Sequence, residues 1–172
     1  MSEYAPVRGE VTLAPVDEQL LARLVVVATS DADVSEVTPP LTPGDAWTPE
    51  RLAWFEDYHR SRRGGLTSAE GEVTWAVLEA GAPVGSVRLK RTETDGMLET
   101  GIWLARSARG RGIGGQAMRL VREQARAAGA RGIRADTTVT NSAAQALMRA
   151  SGFRLSPEAP DGRVHGILAE RS

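Results

Sequence analysis

Arg109-Gly110-Arg111-Gly112-Ile113-Gly114-Gly115 is a glycine-rich turn set between two regular patterns. Before it, Leu98–Leu104 reads as a strand. After it, a helix is predicted from about Gly112 to Ala128, with Ala117, Leu120, Val121 and Ala128 inward and Arg119, Arg122, Glu123 and Arg126 outward. In a strand-turn-helix unit, successive backbone N–H groups converge on a concavity, and the helix dipole adds partial positive charge. Glycines admit unusual backbone angles and close approach. Arg109 and Arg111 add full charges. The turn is a phosphate-binding candidate.

Two common phosphate loops are poor fits. Gly110, Gly112 and Gly115 satisfy G-x-G-x-x-G, and Asp136 follows about 20 residues on, as a dinucleotide fingerprint requires. Such a domain normally begins with that unit, whereas here it arrives two-thirds along the chain. Too little chain follows to complete the second half of the sheet. A Walker loop fails because no Gly-Lys-Ser/Thr follows.

Upstream, Val7–Ala14 alternates as a strand ended by Pro15, and Asp17 caps a helix to about Thr29. Ser30–Trp47 contains Pro39, Pro40, Pro43 and Gly44 and is expected to be irregular. Thr48-Pro49-Glu50 opens a second helix presenting Leu52, Phe55 and Tyr58, with Trp54 beside them. Arg62–Gly71 reads as a mobile connection. Val73–Glu79 and Pro83–Lys90 form a hairpin about Ala80-Gly81. Downstream, Gly129 ends the helix, Ile133–Val139 is a strand, Asn141–Ser151 a short helix, and the last strands start at Gly152-Phe153. The order βααβββαβαββ is an α/β fold with a mostly antiparallel front and one strand-helix-strand crossover.

The 172 residues suit one domain, 1–172, and 41% apolar with 25% charged is a globular mix. No apolar run approaches a membrane span, and the start carries no secretory pattern, so a cytoplasmic protein is expected. The absence of cysteine excludes disulfides, thiolate metal sites and a cysteine nucleophile. With two histidines, His59 and His165, no metal is expected. The net charge of −1 is divided unevenly: residues 1–70 carry −6 and residues 101–155 carry +8. A near-neutral total argues against non-specific nucleic-acid binding, and Arg119, Arg122 and Arg126 read as a solvated helix face with no aromatic interleaving, so no nucleic-acid partner is expected. The split suggests that one half meets an anion and the other a cation.

Arg109-x-x-Gly112-x-Gly114 matches the Q/R-x-x-G-x-G/A motif, and the sequence here resembles the GNAT (GCN5-related) N-acetyltransferases. Gly101-Ile102-Trp103-Leu104 resembles that family's fourth strand. Asn141, Ala144, Leu147 and Gly152-Phe153 resemble its N-x-x-A-x-x-L-Y-x-x-x-G-F segment. The resemblance implies a mixed, mostly antiparallel sheet with splayed fourth and fifth strands flanked by helices. It implies acetyl-CoA as co-substrate, held by a core of about 73–155, with acceptor-side elements in about 1–70. Ile102, Trp103 and Leu104 would line the pantetheine, and the Ile102 and Leu104 backbones would bond it and polarise the thioester carbonyl. Arg109, Gly110, Arg111, Gly112, Ile113 and Gly114 would hold the pyrophosphate, and Asn141 would face the pantetheine arm. Glu99 occupies the position of the family's catalytic acid; the other reading is an exposed strand-end carboxylate. Where many members carry a tyrosine acid, this chain has Met148, a core residue by type; its tyrosines are Tyr4 and Tyr58. Ser142 is a candidate proton donor or a helix cap. A homodimer is possible by the same resemblance.

The acceptor is read from the first half. Asp31, Asp33, Glu36 and Asp45 lie near Trp47, Trp54 and Tyr58, and no basic residue falls between Ser30 and Pro49. Acids beside aromatics suit a cationic aminosugar; the same residues also suit helix ends and core. Glu36-Val37-Thr38-Pro39-Pro40, Trp54–His59 and Leu98–Leu104 resemble the kasugamycin-type aminoglycoside 2′-N-acetyltransferases. That resemblance makes Glu36, Asp57 and Glu99 cationic contacts, and lets Arg63, Arg88 or Lys90 pair with the antibiotic's carboxylate. Other readings are acetylation of a protein N-terminus, a polyamine or an amino acid, and a non-catalytic acyl-CoA sensor.

Overall fold

The computed structural model describes residues 9–157 and 159–171; Tyr4 and the expected strand start at Val7 lie outside them. The elements are β1 (Val11–Pro15), α1 (Glu18–Asp31), α2 (Val34–Val37), α3 (Pro49–Ser61), β2 (Glu72–Glu79), β3 (Ala82–Arg91), β4 (Met97–Leu104), a 3-10 turn at Arg106–Ala108, α4 (Ile113–Ala127), β5 (Gly132–Thr138), α5 (Ser142–Ala150), β6 (Arg154–Leu155) and β7 (Arg163–Ala169). Seven strands form one sheet in the order β1-β2-β3-β4-β5-β7-β6. Every neighbouring pair is antiparallel except β4–β5. This is the expected mixed α/β sheet of the GNAT fold.

Local chemistry sets the boundaries. Asp17 accepts from the Leu20 amide at 2.8 Å and starts α1. Thr48 accepts from the Arg51 amide at 3.3 Å, and Pro49 takes the first position of α3, where its missing N–H costs nothing. Ala80 and Gly81 both have positive φ, the combination a two-residue hairpin needs. Gly129, at φ 80°, follows the end of α4.

Two cores flank the sheet. On one face α4 buries Ile113, Ala117, Met118, Val121 and Ala125 against Val77, Val87, Leu89, Leu98 and Ile133. On the other, Leu20, Leu21, Leu24 and Ala28 of α1 meet Phe55 of α3 and Ala76 of β2.

Four expectations change. The irregular stretch after Ser30 contains α2, capped by Asp33 through the Ser35 amide. The buried stripe of α3 is Arg51, Phe55 and His59 rather than Leu52, Phe55 and Tyr58. Arg51 faces inward because its guanidinium donates to the carbonyls of Thr42, Gly44 and Ala46, which ties down the proline-rich loop. Ala128 is exposed, and Ala125, one turn earlier, takes the inward place. The 62–71 connection is a ladder of turns (Gly65 to Arg62, Ser68 to Gly65, Gly71 to Ser68) pinned by Arg91 on the Ser68 carbonyl. No helix among the described residues is long and apolar enough to cross a membrane.

Candidate active site

Pairing between β4 and β5 stops at Glu99 and Arg134. β4 continues on β3 as far as Leu104, while β5 stays with β7 as far as Thr138. The strands diverge, and a cleft of about 830 Å³ opens between them. The Ala105 amide donates to the Val84 carbonyl on β3. Strand alternation therefore turns the backbones of Ile102 and Leu104 away from β3, toward the gap. The outer end of the cleft is the 109–115 turn. Gly110 and Gly112 have φ of 73° and 80°, and α4 has no side-chain cap at its N-terminus. The first amides of that 15-residue helix are left without intrahelical partners, as every helix start leaves them.

A second cavity, about 430 Å³, lies on the α3 side of the sheet. The cleft and this cavity share Glu36, Gly101, Ile102 and Trp103. Trp54 stacks on Tyr58 at 4.9 Å, and the Arg62 guanidinium lies over the Tyr58 ring at 4.6 Å. The Tyr58 hydroxyl donates to Glu72 at 2.5 Å; burial, then this carboxylate, push the phenol pKa upward. Beneath runs an alternating ionic ladder across the sheet. Glu70 meets Arg62 at 3.9 Å, Arg62 meets Glu72 at 3.2 Å, and Glu72 meets Arg88 at 3.8 Å. Arg88 then meets Glu99 at 2.7 Å, and Glu99 meets Arg134 at 3.0 Å.

The family model of the acetyltransferase (GNAT) domain matches residues 10–154. The chain belongs to the GNAT family. It is an acetyl-CoA-dependent N-acetyltransferase. No curated relative matches the sequence. Among solved structures it is similar to Mycobacterium smegmatis RimJ in complex with CoA-disulfide, at 21% identity and a TM-score of 0.74, covering 94% of this chain and 82% of that one. It is similar to RimL, a ribosomal L7/L12 alpha-N-protein acetyltransferase in complex with coenzyme A, at 20% identity and 0.70, covering 95% and 96%. It is also similar to the aminoglycoside acetyltransferase AAC(6′)-Ib in complex with coenzyme A, at 21% and 0.69, covering 93% and 95%.

A GNAT co-substrate needs an open strand edge and an anion cradle. The residues here fit both requirements: the Ile102 and Leu104 edge is unpaired beyond Glu99, and the uncapped α4 start adjoins Arg109. Ile102, Trp103, Leu104, Arg109, Gly110, Gly112, Ile113, Gly114 and Asn141 all line the cleft. Arg111 does not; it pairs with Glu79 at 2.7 Å. The Asn141 side chain caps α5 through the Ala144 amide at 3.0 Å. Ser142 is exposed and outside the cleft lining. Met148 is buried, its tip against Gly166 of β7. Asp136, the acid of the dinucleotide pattern, bonds His165 of β7 at 2.6 Å.

On the acceptor side the structure divides the expected residues. Glu36, Trp54, Tyr58, Arg88 and Lys90 line the second cavity. Trp47 does not; its ring meets Phe55 edge-on in the core. Asp57 is 80% exposed and lines neither cavity. Arg63 bonds the Val16 carbonyl and Glu18. Glu99 also lines neither cavity, and both its oxygens are taken, one by Arg88 and one by Arg134. Burial would raise its pKa, but the two guanidiniums outweigh that and hold it below the usual carboxylate range. Of the other acids, Asp31 accepts from Ser107, Asp33 caps α2, and Asp45 belongs to a separate loop cavity. Glu72 and Thr74 were missed from sequence. Their signal was period two: polar Glu72 and Thr74 alternate with apolar Val73, Trp75 and Val77.

Proposed function

We propose that the protein acetylates a primary amine of an aminosugar that also bears an acidic group, with the 2′-amine of kasugamycin as the specific acceptor. The product would be an inactivated antibiotic. The observation that carries this reading is the second cavity, which joins the cleft at Gly101–Trp103. Its charged lining is Glu36 and Glu72 against Arg62, Arg88 and Lys90, with Arg62 and Arg88 already engaged in the ionic ladder and Lys90 outside it. A polycationic acceptor is disfavoured there, whereas an amine carrying a carboxylate is matched at both ends. The Trp54 face offers a platform for a sugar ring.

Bound acetyl-CoA supplies an activated acetyl group. The protein's part is positioning and proton handling. The Leu104 and Ile102 backbones hold the pantetheine, and the Arg109–Gly114 turn with the α4 amides holds the pyrophosphate. The acceptor's ammonium must lose a proton before its nitrogen can attack. Of the three acids expected to contact a cation, Glu36 alone lines both cavities, which supports it as the group that takes this proton. Arg88 and Lys90 orient the acceptor's carboxylate.

Thiol release from acetyl-CoA tests this against kasugamycin, a 2-deoxystreptamine aminoglycoside, spermidine and a short alanine-ended peptide. The expected result is release with kasugamycin and none with the carboxylate-free amines. Release with the peptide or spermidine alone would move the acceptor and leave the enzyme class intact.

A further inference from the structure

Glu36 is the one ionisable residue that lines both cavities. Its carboxylate is engaged by Arg109 of the phosphate-binding turn. The same guanidinium donates to the Leu104 carbonyl from Nε at 3.3 Å and from a terminal nitrogen at 3.2 Å. That carbonyl is on the strand edge facing the cleft. One arginine thus covers an edge acceptor and neutralises the carboxylate nearest the junction. Both partners are on the surface, 43% and 38% exposed, where an ion pair contributes little and is readily exchanged. The backbone around Glu36 has a separate anchor within α2: the Glu36 amide donates to the Asp33 carbonyl at 3.0 Å and the Thr38 amide to the Val34 carbonyl at 2.9 Å. Glu36 therefore keeps its place when Arg109 leaves.

We propose that the Glu36–Arg109 pair couples the two binding sites. A phosphate-bearing ligand in the turn draws Arg109 off, uncovers the Leu104 carbonyl and frees Glu36 for the acceptor's ammonium. Cosubstrate binding then strengthens amine binding. This rests on the phosphate and acceptor assignments above. Coupling is reciprocal, so the amine strengthens cosubstrate binding by the same factor.

Titration calorimetry with CoA, which allows no turnover, and kasugamycin tests the coupling. In the wild type each ligand should tighten the other by about fivefold. Glu36→Gln should bind CoA ~2–5-fold tighter, because Arg109 is no longer held back. It should bind kasugamycin at least ~10-fold more weakly and show no coupling. Glu79→Gln is the control. It frees Arg111, whose partner lines neither cavity, and should leave the coupling unchanged. Unchanged CoA affinity and unchanged coupling in Glu36→Gln overturn the inference and spare the functional reading. A wild type that binds no CoA overturns both. If kasugamycin binds neither protein, the acceptor assignment falls, and unchanged CoA affinity in Glu36→Gln overturns the inference as well.

Discussion

Glu99 shows how far a residue's role depends on its neighbours. Alternation places it correctly on the face of Gly101 and Trp103, opposite Lys90. No local pattern could show that Arg88 lies across Gly101 to reach it, or that Arg134 arrives from β5. Those contacts are long-range, and they make Glu99 the fifth member of a six-residue ionic ladder. Removing the charge should leave the Arg134 guanidinium without its partner and Arg88 with Glu72 alone. Glu99→Gln is expected to lower stability by about 2 kcal/mol in urea unfolding. The acidic limb of its kcat/KM pH profile should persist. Loss of that limb would return Glu99 to the role of base.

The elements were more legible than their contacts. The caps at Asp17 and Thr48, the hairpin at Ala80-Gly81 and the glycine-rich turn all rest on short-range chemistry, and each appears where the sequence places it. The misses were tertiary. The inward stripe of α3 follows Arg51, whose carbonyl partners lie in a loop with no periodic signal. Glu72 escaped because a polar first residue looks like the end of a strand until the opposite face is covered. For the turn, two causes of damage can be separated. Gly112 and Gly129 flank α4, and both have φ of 80°. Valine at either is strained by roughly 1–3 kcal/mol. Gly112→Val and Gly129→Val should therefore melt at similarly reduced temperatures. Only Gly112→Val should lose CoA affinity in calorimetry, by at least ~10-fold, since only Gly112 lines the cleft.

At the scale of the whole molecule, the charge division noted in sequence becomes pairing across the fold: Glu36 of the acidic half meets Arg109, and Asp31 meets Ser107, both in the basic segment. The pH dependence of stability has a different source. His59 is 1% exposed between Phe55 and Thr74, its Nδ1 2.9 Å from the Thr74 hydroxyl. Burial, reinforced by Arg63 and Arg62, lowers its pKa from 6.5 to about 4. Between these values the unfolded chain binds a proton that the native imidazole refuses. Stability is therefore complete above pH 6.5 and falls as the pH drops toward 4. The carboxylates with lowered values, Glu18, Asp31, Asp33, Glu99 and Glu170, contribute mainly below about pH 5, so His59 dominates between pH 6.5 and 5. From pH 7.5 to 5.0 the wild type should lose about 2 kcal/mol to this one group. Urea unfolding of His59→Asn at the same two pH values should lack that loss, whatever the variant's absolute stability. An equal loss in both proteins would mean that His59 already binds its proton in the native state.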